Sequence, residues 1–417
     1  MKALLITMYF PPAGGGGVQR PLKLATHLPS LGIETHVLAP DDPKWLHRDD
    51  ELHPPTQAFV HRARYLGPQA RLPSEELRTL KGMDLALAQA RLAGRRLLLP
   101  DVSVTWAPTA IPAAVRIVRD EGIDVVITTS PPLSMNLIGA GVKRLTGVPW
   151  VADQRDSLVQ NADRRFERRS VQAKEKALER VVRMIANRAD GIVAVSDAIA
   201  DEIRSFEPSG EVRMIPNGCD FDDFAGLEYR PGERFRITHT GSFFGKRNPR
   251  AFLSALASSG LDDVVARFVG DFRSVDREWV EELDLGDRLE LVDYLPHRRA
   301  LELQRDSEAN LLLLPDAAGR GKVVPSGKIF EYLAAERPIL AAVPTDGVAA
   351  QLVRETGAGV VVAPDDEDGI REALLGLHAR WKAGQLRDGY LSEEQRRRLS
   401  RTTRVEELAD LLWKVTT

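Results

Sequence analysis

Lys328 stands where a lysine is out of place. It opens the run Ser326-Gly327-Lys328-Ile329-Phe330-Glu331-Tyr332-Leu333-Ala334-Ala335, which reads as a helix. Ser326 is a good N-cap, Ile329, Phe330, Leu333 and Ala334 make one apolar face, and Pro338 stops the helix. A cation in the first turn opposes the positive end of the helix dipole, whereas a bound phosphate would satisfy both the lysine and the unpaired backbone N–H groups of Gly327 and its neighbours. Glu331 lies one turn on, on the same face, where a carboxylate can accept hydrogen bonds from vicinal ribose hydroxyls. The alternative is a solvated Lys–Glu pair on an ordinary helix, worth about 0.2–0.5 kcal/mol.

Two further stretches have the makings of anion sites. Gly241-Ser242-Phe243-Phe244-Gly245-Lys246-Arg247-Asn248-Pro249 follows the strand expected over residues 235–240 and places Lys246 and Arg247 at a strand-to-helix junction. Pro11-Pro12-Ala13-Gly14-Gly15-Gly16-Gly17 follows the first strand of the chain. A structural turn needs one or two glycines; Gly15, Gly16 and Gly17 in succession let a ligand approach bare backbone. The spacing is not the dinucleotide fingerprint, because Gln19 stands where the third glycine belongs. Asp41 or Asp42 at the end of the second strand keeps an NAD-dependent enzyme as a rival reading.

The elements that must position these residues alternate as strand and helix. In the first half, strands are expected over residues 3–10, 35–39, 124–129 and 150–152, and in the second over 235–240, 266–269, 289–294, 311–314, 339–343 and 359–363. Such alternation means two doubly wound parallel sheets, an α/β fold of two Rossmann-like domains. The pattern is interrupted near residues 229–234 by Arg-Pro-Gly-Glu-Arg, which divides the chain into residues 1–230 and 231–392, followed by a helical segment over 393–417. Residues 42–108 read as an irregular, charged insertion with a helix over 75–99; Asp101 and Trp106 follow it, and a tryptophan there can stack on a sugar or simply pack under a loop. Ligands of parallel sheets gather outside the carboxyl ends of strands, which is where Asp153-Gln154-Arg155-Asp156 falls. Its Asp-x-x-Asp pair lacks further ligands, so no metal site is expected.

Composition narrows the classes. With 417 residues, 43% hydrophobic, there is enough apolar material for two cores, and a net charge of −3 argues against a nucleic-acid binder. The single cysteine, Cys219, excludes an intramolecular disulfide and fits a reducing compartment. No apolar run approaches the roughly 20 residues needed to span a bilayer, so a cytoplasmic protein is expected. Residues 164–188 carry nine Lys or Arg against three Glu, either a solvated helix face or a docking face for the anionic inner surface of a membrane.

The run SGKIFEYLAAERPIL, the glycine loop with PLKLATHLPSLG after it, and the stretches TTSPPLSMNLIGAGVKRLTGVPWVADQRD and IPNGCD resemble bacterial members of glycosyltransferase family 4. That resemblance covers nearly the whole chain apart from the insertion after Asp42. It implies the GT-B fold, with the acceptor on the first domain, the nucleotide sugar on the second and the last helix crossing back to the first. It further implies retention of anomeric configuration, no essential metal and no cofactor beyond a UDP- or GDP-linked sugar as co-substrate. The acceptor is a hydroxyl on a glycan, a lipid-linked sugar or a small molecule, and Asp101, Trp106 and Arg155 are the residues expected to meet it. On the donor side the resemblance places Lys328 and Arg247, with Lys246, at the diphosphate, Glu331 at the ribose and the Leu295 loop at the base. Gly241, Ser326 and Gly327 belong to the same donor site, and Asp156 is the candidate base. Two positions depart from the family: Ser242 stands in place of an arginine, and Val323 in place of a glutamate near the donor sugar. An epimerase or hydrolase acting on nucleotide sugars is a second rival.

Overall fold

The computed structural model describes residues 1–43, 47–68, 80–156, 169–243, 247–317, 319–323 and 326–417. The chain divides into two compact units, one of Met1–Asn217 with Arg404–Thr417, the other of Gly218–Thr403.

The first unit is built on seven strands, β1 (Lys2–Ile6), β2 (Glu34–Pro40), β3 (Ala58–Ala63), β4 (Val125–Ser130), β5 (Trp150–Gln154), β6 (Gly191–Ala194) and β7 (Glu211–Met214). They pair in the order β3-β2-β1-β4-β5-β6-β7, every pair parallel. A parallel sheet is covered by helices on both faces, so its inner strands read as continuous apolar runs. Accordingly every residue of β4, β5 and β6 is buried. Strand order reverses between β1 and β4, where the loops leaving the two strands part to opposite faces and open a crevice. The glycine loop leaves β1 and Ser130-Pro131-Pro132 leaves β4, so both lie at that point.

The helix Arg401–Thr416 completes this unit. It sends Val405, Leu408, Leu411 and Leu412 into the same cluster as Leu5, Ile127, Val151 and Val193. At its flanks Arg213 Nη1 donates to Glu407 O at 3.0 Å and Lys414 pairs with Glu211 at 2.8 Å.

The second unit holds β8 (Phe235–Thr240), β9 (Val264–Val269), β10 (Leu289–Val292), β11 (Ala309–Leu313), β12 (Ile339–Ala342) and β13 (Gly359–Val362). Their order is β10-β9-β8-β11-β12-β13, again all parallel, with the reversal between β8 and β11. The segment entering β8 is tied into this unit by the buried carboxylate of Glu308, which accepts from Tyr229 Oη at 3.1 Å, Gly232 N at 3.0 Å and Arg236 Nε at 2.9 Å. Among the described residues no helix is long and apolar enough to cross a membrane.

Candidate functional site

The second unit gathers most of the candidate residues at the switch point between β8 and β11. Gly241 leaves β8 at φ +109, with its N–H donating to Val269 O at 2.7 Å. A Cβ there would stand 2.5 Å from Lys328 Cε and 2.7 Å from Nζ, so both the backbone angle and the space demand glycine. Lys328 reaches this position from the first turn of the helix Gly327–Ala335. Ser326 is the N-cap, in extended backbone and with no side-chain capping bond; Gly327 follows it in open space.

Around the lysine the site is charged and hydrogen-bonded. Nζ lies 3.2 Å from Nε2 of His239, whose Nδ1 is 2.8 Å from Leu311 O. Burial, reinforced by the Arg247 charge and opposed by Glu331, brings Lys328 down to about 7. Glu331 accepts from Gln304 Nε2 at 2.9 Å and lies 3.4 Å from His297 Nε2. Burial works to raise the Glu331 carboxyl, but His297, Gln304 and the Lys328 charge together hold it below the usual value, so it is an anion with a fixed orientation. His297 directly follows Leu295 and Pro296, which brings the loop after β10 to the same carboxylate although β10 is two strands away from β8. Arg247 acts on both Lys328 and His239 through its charge. Lys246 lies outside the described residues.

Ser242 has a different setting. Its hydroxyl donates to the Asp271 carboxylate at 2.9 Å and accepts from Asp271 N at 3.1 Å, joining the loops after β8 and β9. Val323 ends the one-turn helix Arg320–Val323.

In the first unit the glycine loop is pinned at both ends and open in the middle. Pro11 O accepts from Arg62 Nη2, Pro12 O from Asp49 N at 3.0 Å, and Gly14 N donates to His47 O at 3.0 Å. At the other end Gly17 O accepts from Arg155 Nη1 at 3.0 Å. Between them Gly15 sits at φ +86, and a Cβ on Gly15 or Gly16 would meet nothing within 4 Å.

Arg155, expected at the acceptor, is a clamp. Besides Gly17 O it donates through Nε to Ser130 O at 3.1 Å and through Nη2 to Pro131 O at 3.2 Å, so it fastens the loop after β4 to the loop after β1. Asp156 follows it, half-buried at the carboxyl end of β5, and its charge acts on the Arg155 guanidinium. Beneath the clamp a second arginine, Arg20, binds Asp153 through Nε and Nη2 at 2.9 and 2.8 Å, and Asp153 also accepts from Thr129 Oγ1 at 2.9 Å.

One of the acceptor residues is corrected. Trp106 is wholly buried, with its ring N–H on Ala63 O at 3.2 Å, and it has no exposed face for a sugar to stack on. Asp101 caps two elements, accepting from Ser103 N at 2.9 Å, Ser134 Oγ at 2.7 Å and Ser134 N at 3.0 Å. Asp101 thereby holds the loop before residue 107 against the start of the helix Ser134–Thr146, while Trp106 ties it to the end of β3.

Sequence reasoning missed His239, Gln304, Arg20 and Arg62. The one available signal was Thr238-His239-Thr240, three consecutive polar residues at the carboxyl end of a central strand, where burial makes polar groups costly without partners.

Compared with protein families, residues 14–223 match the model of Glycosyltransferase Family 4, half of the chain. The chain belongs to that family. Among solved structures the transferase is similar to the sucrose-phosphate synthase (tll1590) from Thermosynechococcus elongatus, at TM-score 0.68 and 15% identity, covering 99% of this chain and 98% of that one. It is also similar to Anabaena Alr3699/HepE in complex with UDP-glucose, at TM-score 0.62 and 14% identity over 99% of both chains. A third is a glycosyltransferase from Rickettsia africae ESF-5, at TM-score 0.61 and 13% identity over 99% of this chain and 98% of that one. All span essentially the whole chain, and two Rossmann-like parallel sheets, as in the GT-B fold, are the architecture of the transferase. No curated protein matches it by sequence.

Proposed function

We propose that the transferase moves a sugar, with retention of configuration, from a nucleotide-diphosphate sugar held by the second unit to a hydroxyl acceptor. The observation that carries this reading is the Lys328 amine poised over Gly241 at a strand-order reversal, with Arg247 beside it and the anionic Glu331 one turn on. In this reading the diphosphate lies against Gly241 and the N-terminus of the helix Gly327–Ala335, and Glu331 accepts from the ribose hydroxyls. Charge develops on the diphosphate as the glycosidic bond breaks. Lys328, Arg247 and the helix N–H groups are already oriented towards that charge, and preorganised electrostatics of this kind is usually the largest single contribution to catalysis. Asp156 is the candidate base on the acceptor side, and a leaving phosphate oxygen can take the same proton in a front-face reaction.

UDP sugars come first among donors, because HepE was solved with UDP-glucose. The acceptor proposed is a glycan, a lipid-linked sugar or a small molecule. The exposed Lys176, Arg180 and Arg183 of the helix Arg169–Arg188 are the proposed contact with an anionic membrane surface carrying it. The reaction is proposed to need no metal.

The test is a thermal-shift screen of UDP- and GDP-sugars followed by a transfer assay with EDTA present. A selective donor should stabilise the protein by RT ln(1 + [L]/Kd). Lys328→Ala and Arg247→Ala should each lower turnover by about 10²-fold or more. Turnover within twofold of the parent in both variants would remove the phosphate assignment. Donor consumption at the same rate without any acceptor would make the protein a hydrolase or epimerase.

A further inference from the structure

His239 is a polar side chain in an apolar place. It is fully buried near the end of β8, stacked on Phe243 with ring centroids 5.0 Å apart and tilted against Phe268 at 5.8 Å. A backbone carbonyl only accepts, so the 2.8 Å contact with Leu311 O fixes the proton on Nδ1. Nε2 therefore presents a lone pair, and it is directed at Lys328 Nζ 3.2 Å away. Burial, and then the Lys328 and Arg247 charges, keep the imidazole neutral by lowering it well below the ordinary histidine value. His239 is thus a neutral acceptor that cannot turn, and it holds the amine over a glycine whose missing Cβ makes the room.

The charge state of Lys328 is set by its neighbours. Arg247 opposes the ammonium from the loop after β8, and Glu331 supports it from its own helix. Behind Glu331 stand Gln304 and His297 of the helix His297–Arg305. β11, also packed on the lysine's helix, is aliphatic apart from Asn310, and Asp222 and Asp223 of the 3-10 helix Phe221–Phe224 do not act on the lysine. With burial and Arg247 prevailing, the empty site holds an amine that is about half protonated near pH 7.

We propose that His239 is the positioning residue for Lys328, and that a nucleotide-sugar diphosphate docks at Gly241 together with one proton taken from solvent by the Lys328 amine. The lone pair on Nζ forms the new N–H bond, water or buffer supplies the proton, and no other bond changes. The ammonium is then met by the diphosphate on one side and His239 Nε2 on the other, so the charge that assists the leaving group is created by the substrate that needs it. The sign follows: an anion beside a base raises its pKa, so donor affinity is greatest below pH 7 and declines by about tenfold per unit as pH rises above it. This inference rests on the reading that a diphosphate occupies the site.

The experiment has two arms. The first needs no ligand: the full chain is labelled with succinimidyl acetate between pH 6 and 10, and acylation of Lys328 is followed by peptide mass spectrometry. Reaction at Lys328 should titrate with a midpoint of about 7, well below that of exposed lysines. In His239→Phe, which removes the acceptor for the ammonium, the midpoint should move lower still, whereas His239→Gln, which retains an acceptor oxygen, should restore it. An ordinary lysine midpoint in the parent, or a midpoint unmoved by His239→Phe, overturns the proposal. The second arm is calorimetry with UDP-glucose and GDP-mannose, whose phosphates have no proton that titrates near neutrality. At pH 8, in buffers of different ionisation enthalpy, binding should take up close to one proton. In Lys328→Arg, whose guanidinium stays charged, any remaining binding should take up none. Binding without uptake in the parent sinks the proton coupling alone. If neither sugar nor any other nucleotide sugar binds, the donor reading fails, while the labelling arm still decides the role of His239.

Discussion

Glu331 shows how one side chain can be read for both chemistry and packing. Its carboxylate is oriented by Gln304, which is itself fully buried and donates from the same Nε2 to Thr240 Oγ1 at 2.9 Å. Such a carboxylate has given up little of its capacity, since four lone-pair sites are shared by two partners. Glu331→Gln keeps the shape and removes the charge. It should weaken binding of a nucleoside diphosphate by roughly 1.5–3 kcal/mol while leaving the folded state intact. Titration calorimetry beside a melting curve checks this; normal affinity with a much lower melting temperature would make Glu331 a structural residue. Lys328 and Glu331 were legible because their types conflict with their positions: a cation at a helix N-terminus and a carboxylate on the same face. His239 and Gln304 were not, because each is recognisable only from what lies opposite it across the fold. Trp106 and Asp101 show the reverse case, residues of suggestive type whose groups turn out to be satisfied by Ala63 O and by two helix starts.

At the scale of elements, the strands flanking both reversals could be read from sequence, since central parallel strands are apolar on both faces. β3, β6 and β7 could not. β3 and β7 are the two edges of the first sheet; β3 is half-exposed and β7 carries Glu211 and Arg213, the charged pattern that protects an edge. β6 is only four residues long, too short for a period to register. The apolar run through Phe10 extends beyond β1 because Phe10 packs into the core from the loop, outside the ladder. That loop is where the element scale yields a prediction. Arg62 and Arg155 fix its ends, and Gly16 has open space around it without a positive φ, so a β-branched side chain there costs the fold little. Gly16→Val should therefore remain folded and bind nucleotide as the parent does. If the loop faces substrate, transfer should fall by about 10²-fold, the cost of misplacing a reacting group by an ångström. Parent-like transfer in the folded variant would show that the glycines only make a turn.

At the scale of the whole chain, the βα alternation made the α/β class and its two sheets legible, because each hydrophobic period had a partner to cover. The final helix is different: its helical period is visible in the sequence, but nothing in that period states which sheet it will cover. The structure answers through one contact, Leu411 against Gly191 of β6. A Cβ on Gly191 would lie 3.3 Å from the leucine methyls, so the glycine leaves just enough room for the helix to seat. Leu411 is fully buried, in a cluster that also holds Leu5 and Val193. Leu411→Ala should cost about 2–5 kcal/mol, the range for a leucine whose surroundings collapse only in part. It should do so without changing nucleotide affinity, because Gly241, Lys328 and Glu331 all belong to the other unit. Urea unfolding gives the first quantity and calorimetry on the folded protein the second. An unfolding midpoint equal to the parent's would mean that the helix rests on the first unit without completing its core. A stable variant with weakened nucleotide affinity would mean that the helix serves the donor site from a distance.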